Sequence, residues 1–188
     1  MSLLTQTPSQ TAGPYFAYGL AARQYGFPHT SIAGATLAEA HTPGELIALE
    51  GRVLDGVGQP INDALVEIWQ ADATGRYHAP DFGGFGRFGT GTERDQAFRF
   101  QTIKPGSVEG QAPHINVLVF MRGLMSHLYT RLYFADEAGA NALDPVLNSV
   151  PSDRRATLLA PRVAGPGLPC YRFDIRVQGE GETVFFDL

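Results

Sequence analysis

The stretch "APHINVLVF", Ala112 to Phe120, puts a histidine and an asparagine two residues apart at the head of an apolar run. In a strand, residues i and i+2 share a face, so His114 and Asn116 aim at one point. A His-x-His pair so placed offers two imidazoles to a transition metal; here an amide stands in the second position. Tyr77, which opens a long loop, is the other residue of interest. A phenolate beside an imidazole suits a ferric ion, because the hard oxyanion offsets charge. Two ligands do not make a site, since iron and zinc sites normally offer three or more. By themselves Tyr77 and His114 read as structural.

Other chemistries find less support. "GFGRFG", Gly84 to Gly89, matches G-x-G-x-x-G, but a dinucleotide site needs a strand before it and a helix after it. "TGTERDQ" leads instead into a strand, so the glycines read as a flexible loop beside a site. No G-x-S-x-G occurs, and His29, His41, His78 and His127 stand singly, against a nucleophile–histidine–acid constellation. No pair of carboxylates is marked out for glycoside hydrolysis.

The elements that must position these residues are short strands. "ELIALEGRVLD" is strand-like and runs into the turn "DGVGQP", Asp55 to Pro60; "ALVEIWQAD", Ala64 to Asp72, follows, so an Asp-Gly hairpin is expected. A long glycine-rich loop comes next, of a length more often functional than idle. "AFRFQTI", "HINVLVFMRG", "LYTRLYFA", "CYRFDIRVQG" and "ETVFFDL" complete about seven strands. Short helical turns are expected over 139–160, with Ser152 as an N-cap, and a short helix within 31–40. The expected fold is all-β: an antiparallel β-sandwich core over 45–188 with long loops and short helical segments. An extended N-terminal arm, 1–44, precedes it and carries Tyr15, Phe16 and Tyr18, which need cover. His114, Asn116, Leu118, Phe120 and Arg122 share strand parity, which sets Arg122 about 27 Å from His114 at ~3.4 Å per residue.

Composition excludes several partners. The chain has 188 residues, 44% hydrophobic and 18% charged, with net charge −5 and no basic block, so neither nucleic acid nor an anionic membrane surface is expected as a partner. The single cysteine, Cys170, allows no intrachain disulfide and fits a reducing, cytoplasmic setting. "MSLLTQTPSQ" has neither the basic nor the apolar region of a signal peptide, and no apolar run approaches a membrane span.

Taken together, "TPSQTAGPY", "EIWQADATGRY", "FRFQTIKPG", "APHIN", "TRLYF" and "YRFDIRVQGEGETVFFD" resemble the intradiol ring-cleaving dioxygenases, collinearly from Thr7 to Asp187. The resemblance implies a β-sandwich whose catalytic chains hold non-haem Fe(III) through two tyrosines and two histidines. Tyr77 matches the first tyrosine and His114 the first histidine. Val108 falls where the second tyrosine belongs, after "TIKPG", and Asn116 replaces the second histidine. The pocket Tyr77, Val108, His114 and Asn116 is therefore degenerate, and no metal and no catalytic residue are expected in this chain alone.

The implied role is that of the iron-free α member of a higher oligomer of two-chain units. A homologous β chain would bind the Fe(III). The implied substrates are protocatechuate and O2, cleaved between the two hydroxylated carbons to 3-carboxy-cis,cis-muconate in aromatic catabolism by the β-ketoadipate route. Thr11, Gly13, Pro14 and Tyr15 match a stretch lining the substrate pocket at the chain interface. Arg122 matches an arginine near the substrate, and a guanidinium is a strong partner for a carboxylate. Two rival readings are a self-contained intradiol enzyme, with Tyr129, Tyr133 or Tyr171 as replacement ligands, and a non-catalytic β-sandwich scaffold.

Overall fold

The computed structural model describes residues 8–13 and 15–187. Among the described residues, ten strands form two five-stranded sheets. In the first, β1 (Leu46–Leu54) pairs along one edge with β4 (Ala97–Ile103), antiparallel. Along its other edge it pairs with β9 (Cys170–Arg172) and β10 (Ile175–Arg176), both parallel. β8 (Arg162–Val163) lies outside β9. The second sheet has the order β3-β2-β5-β6-β7, with β2 at Leu65–Trp69, β3 at Phe85–Gly89, β5 at His114–Phe120, β6 at Leu128–Phe134 and β7 at Leu159–Ala160.

Alternation along the strands builds the core. Ile47, Leu49 and Val53 of β1 and Phe98 and Phe100 of β4 face Val66 and Ile68 of β2, Ile115, Val117 and Val119 of β5, and Leu132 and Phe134 of β6. Such period-2 burial between facing sheets is the sandwich signature. Gly51 continues the inner face of β1 because nothing larger fits: a Cβ there would meet the Phe173 carbonyl oxygen at 1.9 Å and the Phe98 ring at 2.7 Å.

The sandwich is as expected, and most of its pairings are antiparallel. Several details differ. The Asp55 turn forms, its carboxylate accepting from the amides of Val57 and Gln59, and Pro60 folds back beside Leu54, but the expected pairing of β1 with β2 does not follow. β1 and β2 belong to different sheets, because the apolar inner faces of both strands must oppose each other rather than lie side by side. The glycine-rich segment is not all loop: Phe85–Gly89 is β3, paired with β2. Its glycines admit neighbours, and a Cβ on Gly89 would meet the Tyr25 hydroxyl at 2.4 Å.

"CYRFDIRVQG" breaks after Arg172, where Phe173 N–H donates to Glu50 and Asp174 accepts from Arg52 N–H. Residues 182–187 form no strand, although Phe186 N–H donates to the Tyr129 carbonyl. Helical turns occur as α2 (Ala138–Asn141) and α3 (Pro145–Ser149). A 3-10 turn forms at Arg155–Leu158, within the stretch expected after Ser152, but Arg154 and not Ser152 stands at its N-cap, with no side-chain cap; Asp144 caps α3 by accepting from Leu147 N–H at 2.7 Å. No helix lies within 31–40, where Thr36 bridges Gln101. The arm instead carries α1 (Phe16–Leu20), whose Ala17 packs with Ala21 on Leu65. No described helix is long and apolar enough to cross a membrane.

Candidate functional site

Because odd-numbered β5 residues fill the core, the even-numbered ones face the outer side of the second sheet. Antiparallel register sets Asn116 beside Trp69 of β2 and beside Arg131 of β6, and His114 beside Tyr133. The loop after β2 brings in Tyr77. Asp72 organises that loop, its carboxylate accepting from the amides of Thr74 and Arg76 at 2.8 and 2.9 Å and from both their side chains. Gly75 (φ 82°) and Gly106 let the loop close on 105–108: a Cβ on Gly75 would meet the Ser107 carbonyl at 1.9 Å, and one on Gly106 the Ala73 carbonyl at 2.6 Å.

A continuous polar cluster results. The Asn116 amide donates to the Tyr77 hydroxyl (2.9 Å) and the Trp69 carbonyl (3.1 Å) and accepts from the Tyr129 hydroxyl (2.6 Å). Arg131 donates through Nε to Tyr129 (3.1 Å) and through Nη1 to Gln111 (2.6 Å). Val108 joins only through its backbone, bridging Gln111. His114 donates from Nδ1 to the Ala112 carbonyl at 2.8 Å, since a carbonyl can only accept.

Burial pushes the Tyr77 phenol above its ordinary value, outweighing its bond to Asn116 and the Arg131 charge. Burial, reinforced by Arg131, pushes His114 down. For Arg131 itself, burial is outweighed by its bonds to Tyr129 and Tyr133, and the guanidinium stays charged.

This donor set does not fit a ferric ion. Iron(III) favours anionic oxygens and imidazoles, yet Val108 offers no donor and the Asn116 amide is neutral and already bonded to Tyr77, Trp69 and Tyr129. A fixed guanidinium, moreover, repels a second cation across the cluster. Among the described residues, no three His, Cys, Asp or Glu side chains gather as a metal-binding group. Of the replacement tyrosines, only Tyr129 reaches Asn116. Tyr133 donates to Asp144 at 3.2 Å, and Tyr171 donates to Asp136 at 2.7 Å in the other sheet.

Arg122 lies two residues beyond the end of β5, at the other end of the same sheet face, with Leu118, Phe120 and α1 between. Its side chain is 60% exposed and its Nε donates to the Asp63 carboxylate. The next residue, Gly123, donates its N–H to the Thr11 hydroxyl at 2.8 Å, which ties the N-terminal segment beside Arg122. Gly13 and Arg122 line one open cleft of about 250 Å³ with Tyr18, Tyr25, Asn62 and Asp63. A second cleft of about 410 Å³ flanks the segment's other side, against Phe16, Phe120 and His127. Tyr15, 78% exposed, stacks edge-on against Tyr18. Pro14 lies outside the described residues.

The two expected groups thus lie apart: Thr11 and Gly13, expected near substrate, lie beside Arg122, and Tyr77, His114 and Asn116 of the degenerate pocket gather at the other end of the sheet. Sequence reading missed Asp63, Gln111 and Arg131. The parity of "LYTRLYF" held the signal for Arg131, which shares a face with Tyr129 and Tyr133.

The family model described as "Dioxygenase" matches residues 13–179. The chain is 53% identical to the protocatechuate 3,4-dioxygenase alpha chain of Burkholderia cepacia, over all of both chains. It is 36% identical to the beta chain of the same enzyme from the same organism, over 74% of this chain and 67% of that one. Among solved structures it resembles the dioxygenase domain of a dioxygenase–carbohydrate-binding fusion from Streptomyces sp. SirexAA-E, with TM-score 0.61 and 30% identity, covering 93% of this chain and 99% of that one.

Proposed function

The chain belongs to the intradiol ring-cleaving dioxygenase family, and on that premise we propose that it is the iron-free α subunit of a hetero-oligomeric protocatechuate 3,4-dioxygenase. The iron resides in a homologous β chain, and this chain completes the substrate pocket at their shared face. The reaction opens the ring of protocatechuate between its two hydroxylated carbons, and both oxygen atoms of O2 enter the product. Cytoplasmic placement, in keeping with the lone free thiol of Cys170, belongs to the same proposal.

The observation that carries the reading is the junction of Thr11, Gly13 and Arg122. A segment with no regular structure is hydrogen-bonded to the turn that presents a largely exposed guanidinium. A guanidinium offers parallel N–H donors to a carboxylate, and protocatechuate carries one. Thr11, Gly13 and Tyr15 form the wall beside it, Gly13 admitting close backbone approach and Tyr15 covering the aromatic ring. The polar cluster at Asn116 takes no part in the chemistry; it braces the loop that carries Tyr77.

The test is Arg122→Ala in the reconstituted two-chain enzyme. Losing a hydrogen bond between charged groups is expected to weaken protocatechuate binding by about 1.5–3 kcal/mol, roughly ten- to a hundred-fold in KM. Catechol, which has no carboxylate, is expected to change little. Equal losses for both substrates would refute a carboxylate-binding role.

A further inference from the structure

We infer that Asp63 is a positioning residue that fixes which edge of the Arg122 guanidinium faces the substrate. The inference rests on the reading of Arg122 as the carboxylate's partner and adds a residue to it. β2 and β5 pair antiparallel, with Leu65 opposite Phe120 as the last rung. Asp63 lies two residues before Leu65 and Arg122 two residues after Phe120. The two therefore continue the register by one same-face step beyond the ladder, and cross-strand neighbours so placed interact directly. Their contact joins Asp63 Oδ2 to Arg122 Nε.

The Asp63 carboxylate has a stiff base. Thr90 is fully buried, and its hydroxyl donates to the Ile61 carbonyl at 2.7 Å and accepts from Ala64 N–H at 3.1 Å. The backbone is thus pinned on both sides of residue 63. Asp63 is 25% exposed in its side chain against 60% for Arg122, so the anchor is the more enclosed partner and the presented group the more open one.

An arginine has five N–H donors in a rigid planar fork. With Nε spent on Asp63, the fork can rotate only about that bond, and its two terminal NH2 groups remain for a ligand. Among the described residues, no hydrogen bond of Arg122 uses them. Asp63 lowers the net charge of the site, which costs long-range attraction. In return it removes rotamer freedom that a long exposed side chain would otherwise lose on binding. The consequence is selective: direction matters for a planar carboxylate and not for a ligand without one.

The experiment uses the assembled two-chain enzyme carrying Asp63→Ala, Asp63→Asn or Asp63→Glu, with protocatechuate and catechol as substrates. In Asp63→Ala, loss of one orienting hydrogen bond is expected to raise KM for protocatechuate roughly ten-fold, with the effect mainly in KM and little change for catechol. Asp63→Asn keeps an acceptor oxygen at the same reach and is expected to restore most of the affinity. Asp63→Glu keeps the charge but displaces the acceptor and is expected to rank below Asn.

An unchanged or lower protocatechuate KM in Asp63→Ala overturns the inference, because Asp63 would then be idle or a competitor. Equal effects on both substrates overturn it too. If Asp63→Ala fails to assemble, the order of Asn and Glu decides, and Glu at or above Asn overturns it. Arg122→Ala, measured in parallel, separates the two ideas: selectivity there without selectivity at residue 63 removes Asp63 alone, whereas none at Arg122 removes the reading beneath it.

Discussion

At the scale of single residues, Asn116 carries the contrast between this chain and an iron-binding one. Its side chain answers three partners at once, Tyr77, Trp69 and Tyr129, and is 8% exposed. Reinstating the His-x-His pattern by Asn116→His does not recover a metal site, because Val108 and Arg131 remain. The expected result is no stoichiometric iron by metal analysis and no tyrosinate absorption. Chemical denaturation should show a loss of about 1–3 kcal/mol from the unpaired buried groups. Tyr77→Phe removes only one partner and is expected to leave iron content unchanged. Strand spacing sufficed to group His114 with Asn116, and the family resemblance added Tyr77. Neither could group Arg131 or Gln111 with them, because those contacts depend on which strand lies beside β5.

At the scale of elements, the Asp72 turn decides where Tyr77 goes. Burial acts to raise the Asp72 carboxyl, but the amides and side chains of Arg76 and Thr74 win and hold it at about 2, below its ordinary 3.8. A carboxyl lowered on folding contributes stability in full above its unfolded value, and that stability is lost as protons displace the bonds. Melting temperature is therefore expected to fall steeply from about pH 4 toward pH 2, and less steeply in Asp72→Asn. Equal slopes for the two proteins would mean that the turn is held by its backbone alone. The motif "QADATGRY" advertises this turn, since an aspartate followed by Thr, Gly and Arg is a local hydrogen-bonding pattern. β3 advertised nothing comparable: "FGRFG" lacks β-branched residues, and its strand identity comes from pairing with β2.

At the scale of the whole molecule, the outer face of one sheet carries two dissimilar surfaces. The Asn116 end is satisfied from within. The Arg122 end is open, ringed by Tyr15, Phe16, Tyr18 and Phe27, all at least 36% exposed. An aromatic rim around an exposed guanidinium, paired among the described residues only at its Nε edge, suits a partner that buries both. For the purified two-chain enzyme, the expected stoichiometry is one ferric ion per pair of chains. The chain purified alone is expected to be colourless, and iron at one equivalent in it would refute the proposed division of labour.

The amino-acid sequence by itself determined five strands, β1, β2, β4, β5 and β6, and the alternating inner face of the sandwich. Each of these is a local property, written in period-2 patterning and in short motifs. Tertiary structure alone decided that β1 and β2 part into opposite sheets, that Arg131 lies beside Asn116, and that Asp63 meets Arg122. All three follow from long-range register, where one residue of slip would turn every side chain to the other face. No short stretch of this chain encodes that register; the packing of two apolar faces selects it.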